Sequence, residues 1–366
     1  MIKEATKILR VIEEHGFKAY LVGGCVRDTI MQLDIKDCDI CTSATPIELM
    51  EIFEKYKIKP SKYGSVILFY KGTKYEITTL REESTYSDGR RPDELKYIDD
   101  LEKDLSRRDF TINTICMDKD KNIIDFCNGI DDIQKKIIKT VGNPEIKFYD
   151  DALRILRAIR FATVLNFEIE ESTMNAIKNN ASRIELVSYE RRKEELDKIF
   201  LSDNKERGVK LLVETGLDKW LGLEKLKDIT LIDDINGIWA QLNNFNYPFK
   251  KSEKKIMKSL IKILESGEEV INNFALYNYG LYICMIIVKI RKQSVNELLR
   301  TYNLMPLLSL DSLNITSEEI IECLNLEENS ALKDIYDNLV YEILSNDLKN
   351  DNKSIIEYLK QKYNIW

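Results

Sequence analysis

The chain has 366 residues, 44% hydrophobic and 32% charged, with Lys+Arg 55 against Asp+Glu 62 for a formal net charge of −7. That length and apolar content suit two or more domains, each burying its own core, and exclude disorder as the default state. The negative balance requires any nucleic acid to be met by local basic stretches, and the single histidine, His15, all but excludes histidine-based metal sites and catalytic triads.

In chain order, apolar spacing predicts a helix near residues 3 to 15, then a short strand in "KAYLVGG" that ends in Gly23-Gly24. A helix opens near Val26, "DCDICTS" reads as a strand, and "TPIELMEIFEKY" reads as a helix with Thr45 as its N-cap and Pro46 at its first position. "SVILFYKGTKYEITTLR" reads as a hairpin turning at Lys71-Gly72, and "YSDGRRPDEL" as a polar loop. From about residue 148 onward, apolar residues recur three and four apart in "DDALRILRAIRFATVL", "RRKEELDKIFL", "SEKKIMKSLIKIL" and "VNELLRTYNLM", so the remainder reads as all-helical. The apolar run "FALYNYGLYICMIIVKI" is interrupted by Asn278 and Lys289 and reads as a buried helix, with no membrane span expected. The N-terminal segment carries charges throughout, unlike a secretory signal, which predicts a cytoplasmic protein.

The seven cysteines (25, 38, 41, 116, 127, 284, 323) are scattered through a core-forming chain and read as reduced thiols. Cys38 and Cys41 form a CxxC, but three residues apart on a strand they face opposite sides and cannot chelate together.

Four groups of residues carry chemistry. Gly23-Gly24, followed by Arg27 and Asp28, is a strand end turning into a helix, where bare backbone N–H groups and a first-turn arginine suit a triphosphate; alone, a glycine pair is more often just a tight turn. Asp37 and Asp39 flank Cys38, and on one face of a strand two acids can hold Mg²⁺; Glu76 in "YEITTLR" is a possible third ligand or a structural acid. "SRRDFTIN", residues 106 to 113, offers either phosphate-binding arginines or a surface ion-pair cluster. In "DDALRILRAIRF", residues 150 to 161, Asp151, Arg154, Arg157 and Arg160 recur every third residue and form an oblique stripe on a helix. Leu153, Leu156, Ile159 and Phe161 supply that helix's core contacts. Further basic stretches are "YERRK" and "KKSEKKIMK", while no GxxxxGK[ST] occurs, which excludes a P-loop NTPase.

In this order and spacing, "LVGGCVRD", "DCDI", "YEITTLR", "RRPDEL", "DLSRRDFTIN" and "DDALRILRAIRFA" resemble the class II tRNA nucleotidyltransferases and their bacterial poly(A) polymerase relatives, over about residues 1 to 200. The resemblance implies an α+β fold: a polymerase-β-like nucleotidyltransferase head with a mainly antiparallel sheet (1–140), then an all-α neck that recognises the base (141–200), a helical body (201–270) and a helical, RNA-binding tail (271–366). It implies that Asp37 and Asp39 are the metal-binding catalytic carboxylates, that Gly24, Arg27 and Arg108 contact nucleotide phosphates, and that Asp151 and Arg154 read the base edge with Arg157 and Arg160 supporting the pocket. The implied activity is template-independent addition of CCA to the 3′ end of tRNA, from CTP and ATP with Mg²⁺ and no obligate protein partner. Alternatives are an enzyme adding only the terminal A, a poly(A) polymerase, and a non-catalytic RNA-binding module.

Base choice has a physical logic, because cytosine and adenine both set an exocyclic amine beside a ring-nitrogen acceptor, whereas uracil and guanine place a carbonyl there. Departures from the family exist. The acidic pair is Asp150-Asp151 where Glu-Asp is usual, and "DFCNG" (Asp125 to Gly129) stands in place of "DPFGG", a loop implied to reorient the site between adding C and adding A. A phosphohydrolase domain built on His–Asp clusters, common among relatives, cannot be made with one histidine. "REESTYSDGRRPDEL" is uninterrupted, whereas relatives that add only C's have a shortened loop there, which disfavours that activity.

Overall fold

Residues 1–61, 64–83, 95–326 and 332–363 are described by a computed structural model, and the expected loop "YSDGRRPDEL" lies, except for its last residue, outside them. The chain divides into two units, Met1–Lys227 with Asn246–Pro248, and Asp228–Phe245 with Phe249–Trp366.

In the first unit α1 (Ile2–Glu14) buries Ala5, Ile8, Leu9 and Ile12 and packs on β1 (Ala19–Val22). Gly23 follows at φ 77, ψ −133, a conformation only glycine adopts without strain, and this turns the chain directly into α2 (Gly24–Ile30). Strand β2 (Asp39–Thr42) returns antiparallel to β1. Helix α3 (Pro46–Ile52) starts as expected, with Thr45 and Glu48 capping each other's backbone N–H groups and Pro46 in the first turn. After β3 (Lys57–Pro60), β4 (Ser65–Tyr70) and β5 (Thr73–Thr79) form the expected hairpin, with both Lys71 (φ 49) and Gly72 (φ 80) left-handed, the conformation that matches strand twist in a two-residue turn.

Strand β5 then lies parallel to β2, with Glu76 opposite Asp39. A small antiparallel pair, β6 (Arg81–Glu83) and β7 (Leu95–Tyr97), precedes α4 (Leu101–Ser106). Strands β8 (Cys116–Met117) and β9 (Ile123–Ile124) complete a seven-stranded sheet of order β3-β4-β5-β2-β1-β8-β9, antiparallel everywhere but between β5 and β2. The head is thus α+β with a mainly antiparallel sheet.

Next come α5 (Gly129–Lys135), β10 (Ile137–Ile138), α6 (Pro144–Asp150) and α7 (Leu153–Leu165), which buries Leu153, Leu156, Ile159 and Phe161 as its spacing predicts. Strand β11 (Glu168–Ile169) pairs parallel with β10, and α8 (Glu171–Asn179), α9 (Tyr189–Phe200) and α10 (Lys205–Glu214) follow, with α7 packed on α9 and α10.

Three local expectations need correction. "DDALRILRAIRF" is not one helix: α6 stops at Asp150, Asp151 is extended (φ −141, ψ 103), and its carboxylate accepts the Leu153 N–H that opens α7, so the side chain competes with helix continuation. Strand β2 begins at Asp39, so Asp37 and Cys38 lie in extended chain before it; Asp37 and Asp39 are nevertheless exposed and Cys38 buried, which preserves the alternation. The two-residue β11 interrupts the stretch expected to be all-helical.

The second unit is helical throughout its described residues, with a core that includes Ile320, Leu339, Ile343, Ile355 and Leu359. Its helix Asn273–Ile290 buries Ala275, Leu276, Cys284, Ile286, Ile287 and Val288, and non-helical backbone at Gly280 (φ 78, ψ 162) breaks it. The stretch after the break, 281–290, reaches only about 15 Å, half of a bilayer's hydrocarbon core.

Gly129 opens α5 against the turn at residues 111–113, and a Cβ there would overlap the Thr111 carbonyl oxygen and crowd the Ile115 side chain. Because backbone cannot yield as a side-chain tip does, Gly129→Ala should lower unfolding stability by about 2–3 kcal/mol in urea titration; an unchanged midpoint would show that α5 can shift at no cost.

Candidate active site

The sheet register brings the first carboxylates together. Asp39 lies opposite Val22 on one side and Glu76 on the other, with Asp37 two residues upstream. Partial desolvation, with Glu76 and then Asp37 as like charges, pushes the Asp39 carboxyl up to about 6, although the Arg108 guanidinium pulls it down. Between the two aspartates the Cys38 thiol is buried beside the free Cys25 thiol, and that neighbour together with burial raises it far above the usual thiol range. Cys41 engages Cys116 instead, so the CxxC thiols face opposite ways as expected.

Arg108 is held by a carboxylate that the sequence did not single out. Asp104, on α4 and 1% exposed, accepts Arg107 Nη2 at 2.7 Å and Nε at 3.0 Å on one oxygen, and Arg108 Nη2 at 3.1 Å and Nε at 3.3 Å on the other. The Arg81 backbone N–H adds a 3.2 Å bond. Burial alone would raise the Asp104 carboxyl, yet Arg108 and Arg107 hold it below the ordinary carboxylate value. The pattern was present in the sequence as an aspartate three and four residues before two arginines, the spacing of helix neighbours.

Arg27 is buried, and its Nη1 donates to Asn113 Oδ1 at 2.8 Å while Nε donates to Asp28 at 2.8 Å. Asn113 Nδ2 donates to Asp109 Oδ1 at 3.2 Å, and Asp109 Oδ2 accepts Arg157 Nε at 2.8 Å and Nη2 at 2.5 Å. A continuous polar chain therefore links α2 to α7. Burial would raise the Asp109 carboxyl, but the Arg157 guanidinium holds it well below the carboxylate range. Beside this chain the Phe161 ring carries Arg160 at 3.8 Å, Arg27 at 5.3 Å and Arg157 at 5.4 Å from its centroid, and it meets Phe110 edge-on at 5.7 Å. Arg160 Nε also donates to the buried Glu195 at 2.5 Å.

Asp151 and Arg154 are not paired with each other. Asp151 accepts Arg191 Nη2 at 3.3 Å, and Arg154, 9% exposed, donates Nη1 to the Lys147 carbonyl and Nη2 to the Arg107 carbonyl, both at 3.1 Å. Lys147 Nζ donates to the Ser106 carbonyl at 2.7 Å. Each side chain is fixed by neighbours while keeping hydrogen-bonding capacity in hand: two lone-pair positions on the Asp151 carboxylate, and N–H groups on the Arg154 guanidinium.

The structure thus sets Asp39 and Glu76 on adjacent strands, with Asp37 just before β2 and Arg108 just after α4, and groups Arg27, Arg157 and Arg160 around Phe161. Besides Asp104, the sequence did not single out Lys147 or Glu195, whose partners lie on distant elements; Asp109 and Asn113 lay within "SRRDFTIN" and Arg191 within the basic "YERRK", none with a role of its own. In "DFCNG", Asp125 accepts the N–H groups of Cys127, Gly129 and Ile130 at 3.2, 2.9 and 2.9 Å and so caps α5.

Among the described residues no three acidic, thiol or imidazole groups converge closely enough to hold a metal by themselves. An Asp39 carboxyl raised by the like charges of Glu76 and Asp37 nevertheless fits a hard cation, and Mg²⁺ is ordinarily held by one or two carboxylates completed by substrate phosphates.

Residues 19–139 match the family described as Poly A polymerase head domain, and residues 166–224 the one described as Probable RNA and SrmB-binding site of polymerase A. A CCA-adding enzyme of Ligilactobacillus salivarius (strain UCC118) is 35% identical over 388 residues, covering 98% of this chain and 96% of that one. The crystal structure of the Bacillus stearothermophilus CCA-adding enzyme in complex with CTP superposes with a TM-score of 0.85 at 28% identity, over 99% of this chain and 98% of that one. The Thermotoga maritima CCA-adding enzyme complexed with tRNA shares the fold, at a TM-score of 0.71 and 21% identity over 98% of this chain and 94% of that one.

The raised Asp39 carboxyl has a thermodynamic signature. The folded state binds its proton more tightly than the unfolded chain, so ionisation costs stability, with no effect below about pH 4 and the full cost above about pH 6. In chelator, Asp39→Asn should be more stable than the parent at pH 7.5, by on the order of 1 kcal/mol after allowing for screening at its open edge, and should lose most of that advantage at pH 4.5. An advantage equal at both pH values would show that charge repulsion is not its source.

Proposed function

The chain belongs to the CCA-adding enzymes, and on that premise we propose that it adds two cytidines and an adenosine to the 3′ end of tRNA, taking CTP and ATP and releasing pyrophosphate. The observation that carries the proposal is the Asp39 carboxyl, crowded by Glu76 and Asp37 and facing Arg108: a focus of unneutralised negative charge beside a fixed cation.

Asp37 and Asp39 would hold Mg²⁺, with Glu76 close enough on β5 to assist. When bound, that ion would make the tRNA 3′-hydroxyl a better nucleophile and offset charge on the phosphates. The hydroxyl attacks the α-phosphate and pyrophosphate departs. Arg108, pinned to Asp104, presents its charge to the triphosphate at no further ordering cost. Gly24 opens α2, where the Val26 and Arg27 N–H groups bond to the Gly23 carbonyl and those of Gly24 and Cys25 can meet a phosphate. Arg27 carries a buried charge just behind them, tied into the chain through Asn113.

On the neck side, the Asp151 carboxylate would accept the exocyclic amine of cytosine or adenine while Arg154 donates to the ring nitrogen. A carbonyl facing Asp151 would leave two acceptors opposed, which disfavours uracil and guanine. Arg157 and Arg160, fixed by Asp109, Glu195 and the Phe161 ring, support the readers. The helical part would dock the tRNA by shape and backbone charge, since duplex RNA offers little readable sequence. We divide the chain into head 1–140, neck 141–200, body 201–270 and tail 271–366; the end of the head-domain match at residue 139 supports the first boundary, and the unit boundary after Lys227 falls within the body. The reading carries with it a cytoplasmic site of action, where tRNA and nucleoside triphosphates meet.

Incubation with Mg²⁺ and tRNA transcripts ending at the discriminator base, at C or at CC, with labelled CTP and ATP singly and together, should yield complete CCA from all three. Long A tracts would establish a poly(A) polymerase, A addition to the CC-ended tRNA alone an A-adding enzyme, and no incorporation would end the enzyme reading. Asp39→Ala should abolish incorporation while tRNA binding persists; loss of binding would make the residue structural. Asp151→Ala and Arg154→Ala should each lower preference for CTP over UTP at least tenfold, as loss of a charged hydrogen bond worth about 1.5–3 kcal/mol implies, and unchanged discrimination would refute the base-reading roles.

A further inference from the structure

Lys147 closes a ring of hydrogen bonds at the junction of head and neck. Its Nζ donates to the Ser106 carbonyl at 2.7 Å, where α4 ends. The next carbonyl, that of Arg107, accepts Arg154 Nη2 at 3.1 Å. Arg154 Nη1 returns to the carbonyl of Lys147 itself, also at 3.1 Å. Two cationic side chains from α6 and α7 thereby grip consecutive carbonyls of one turn, and the residue after those carbonyls is Arg108.

We infer that Lys147 is a positioning residue of the nucleotide site: it holds the Ser106–Arg107 turn against the neck, so that the phosphate-facing Arg108 and the base-reading Arg154 are set at a fixed separation. The inference rests on the nucleotide site proposed above and names a residue to which that proposal gave no role. Mechanically, the ring makes the two ends of one substrate interdependent. A cytosine or adenine that engages Arg154 finds the triphosphate clamp already registered to it, because both readouts hang on the same turn.

The charge on Lys147 is poised to report this. Burial, then Arg154, lower the ammonium to about 8, with Arg107 acting in the same direction; Asp150 and Asp109 oppose them, and the Cys127 thiol also faces the group. The positive form that donates most strongly to the Ser106 carbonyl is therefore present below about pH 8 and lost above it, whereas an arginine at this position would stay charged.

The test is the Kd of CTP and of ATP, measured by calorimetry with Mg²⁺ and without tRNA from pH 6.5 to 9.5, for the parent, Lys147→Arg and Lys147→Met, each checked for a cooperative melt. The parent should bind several-fold more weakly at pH 9 than at pH 7.5. Lys147→Arg should bind nearly as well as the parent at pH 7 and lose that alkaline weakening, and Lys147→Met should bind about tenfold more weakly at pH 7 with a flat profile. Alkaline weakening shared equally by the parent and Lys147→Arg, or parental affinity in Lys147→Met, would overturn the role of Lys147 and leave the proposed function standing. A parent protein that binds neither nucleotide at any pH would remove both. Should Lys147→Met fail to fold, the comparison of the parent with Lys147→Arg decides alone.

Discussion

The ion pair between Asp109 and Arg157 is the constraint on which the head and the neck helix both depend. A carboxylate taken from water costs several kcal/mol, and that cost is met only when its partners are all in place. Asp109 has four: the Phe110 N–H at 2.8 Å, Asn113 Nδ2, and two guanidinium N–H groups of Arg157. Withdraw α7 and the carboxylate is left buried with half its donors. The head segment carrying Arg107 and Arg108 and the helix carrying Arg154 therefore have one mutually satisfactory arrangement, and the Phe161 ring, with a guanidinium 3.8 Å from its centroid, packs the remaining space.

Against that background the carboxylates on the sheet stand out. Asp104 and Asp109 are matched by arginines and sit below their ordinary pKa; Asp39 has two acids as neighbours and sits above it. The same residue type is thus put to two uses within one domain, as a structural anchor where cations surround it and as a centre of unsatisfied charge where they do not. The second use costs stability that a ligand bringing positive charge would restore.

Much of this was legible in the sequence, and the reasons for success and failure are physical. The capped start of α3, the Lys71-Gly72 hairpin and the core face of α7 are local events, set by side chains a few residues apart, and each was placed from spacing alone. The break at Asp151 was not, because an aspartate continues a helical pattern on paper while its carboxylate, bonded to the Leu153 N–H, ends one helix and starts the next. Asp104 could have been found from its spacing to Arg107 and Arg108. Asp109 and Asn113 stood within "SRRDFTIN", four apart and bonded to each other, but their ties to Arg157 and Arg27 could not be read, since those partners lie 48 and 86 positions away along the chain. Arg154 was expected to read the base edge with Asp151; that it grips one carbonyl of the head, that of Arg107, and one of α6, that of Lys147, is a tertiary fact with no sequence signature.

The register of β5 against β2 carries a consequence for how such chains can vary. Side chains alternate across a sheet with a period of two, so adding or deleting a single residue between the Lys71-Gly72 turn and Glu76 would turn that carboxylate through the sheet, into the side where Tyr75 and Ile77 are buried. Substitutions along the hairpin can accumulate one at a time, but changes in its length can be tolerated only in pairs. The hairpin, remote in sequence from "DCD", is in this sense a ruler for the active site, and its length should drift far less than its composition.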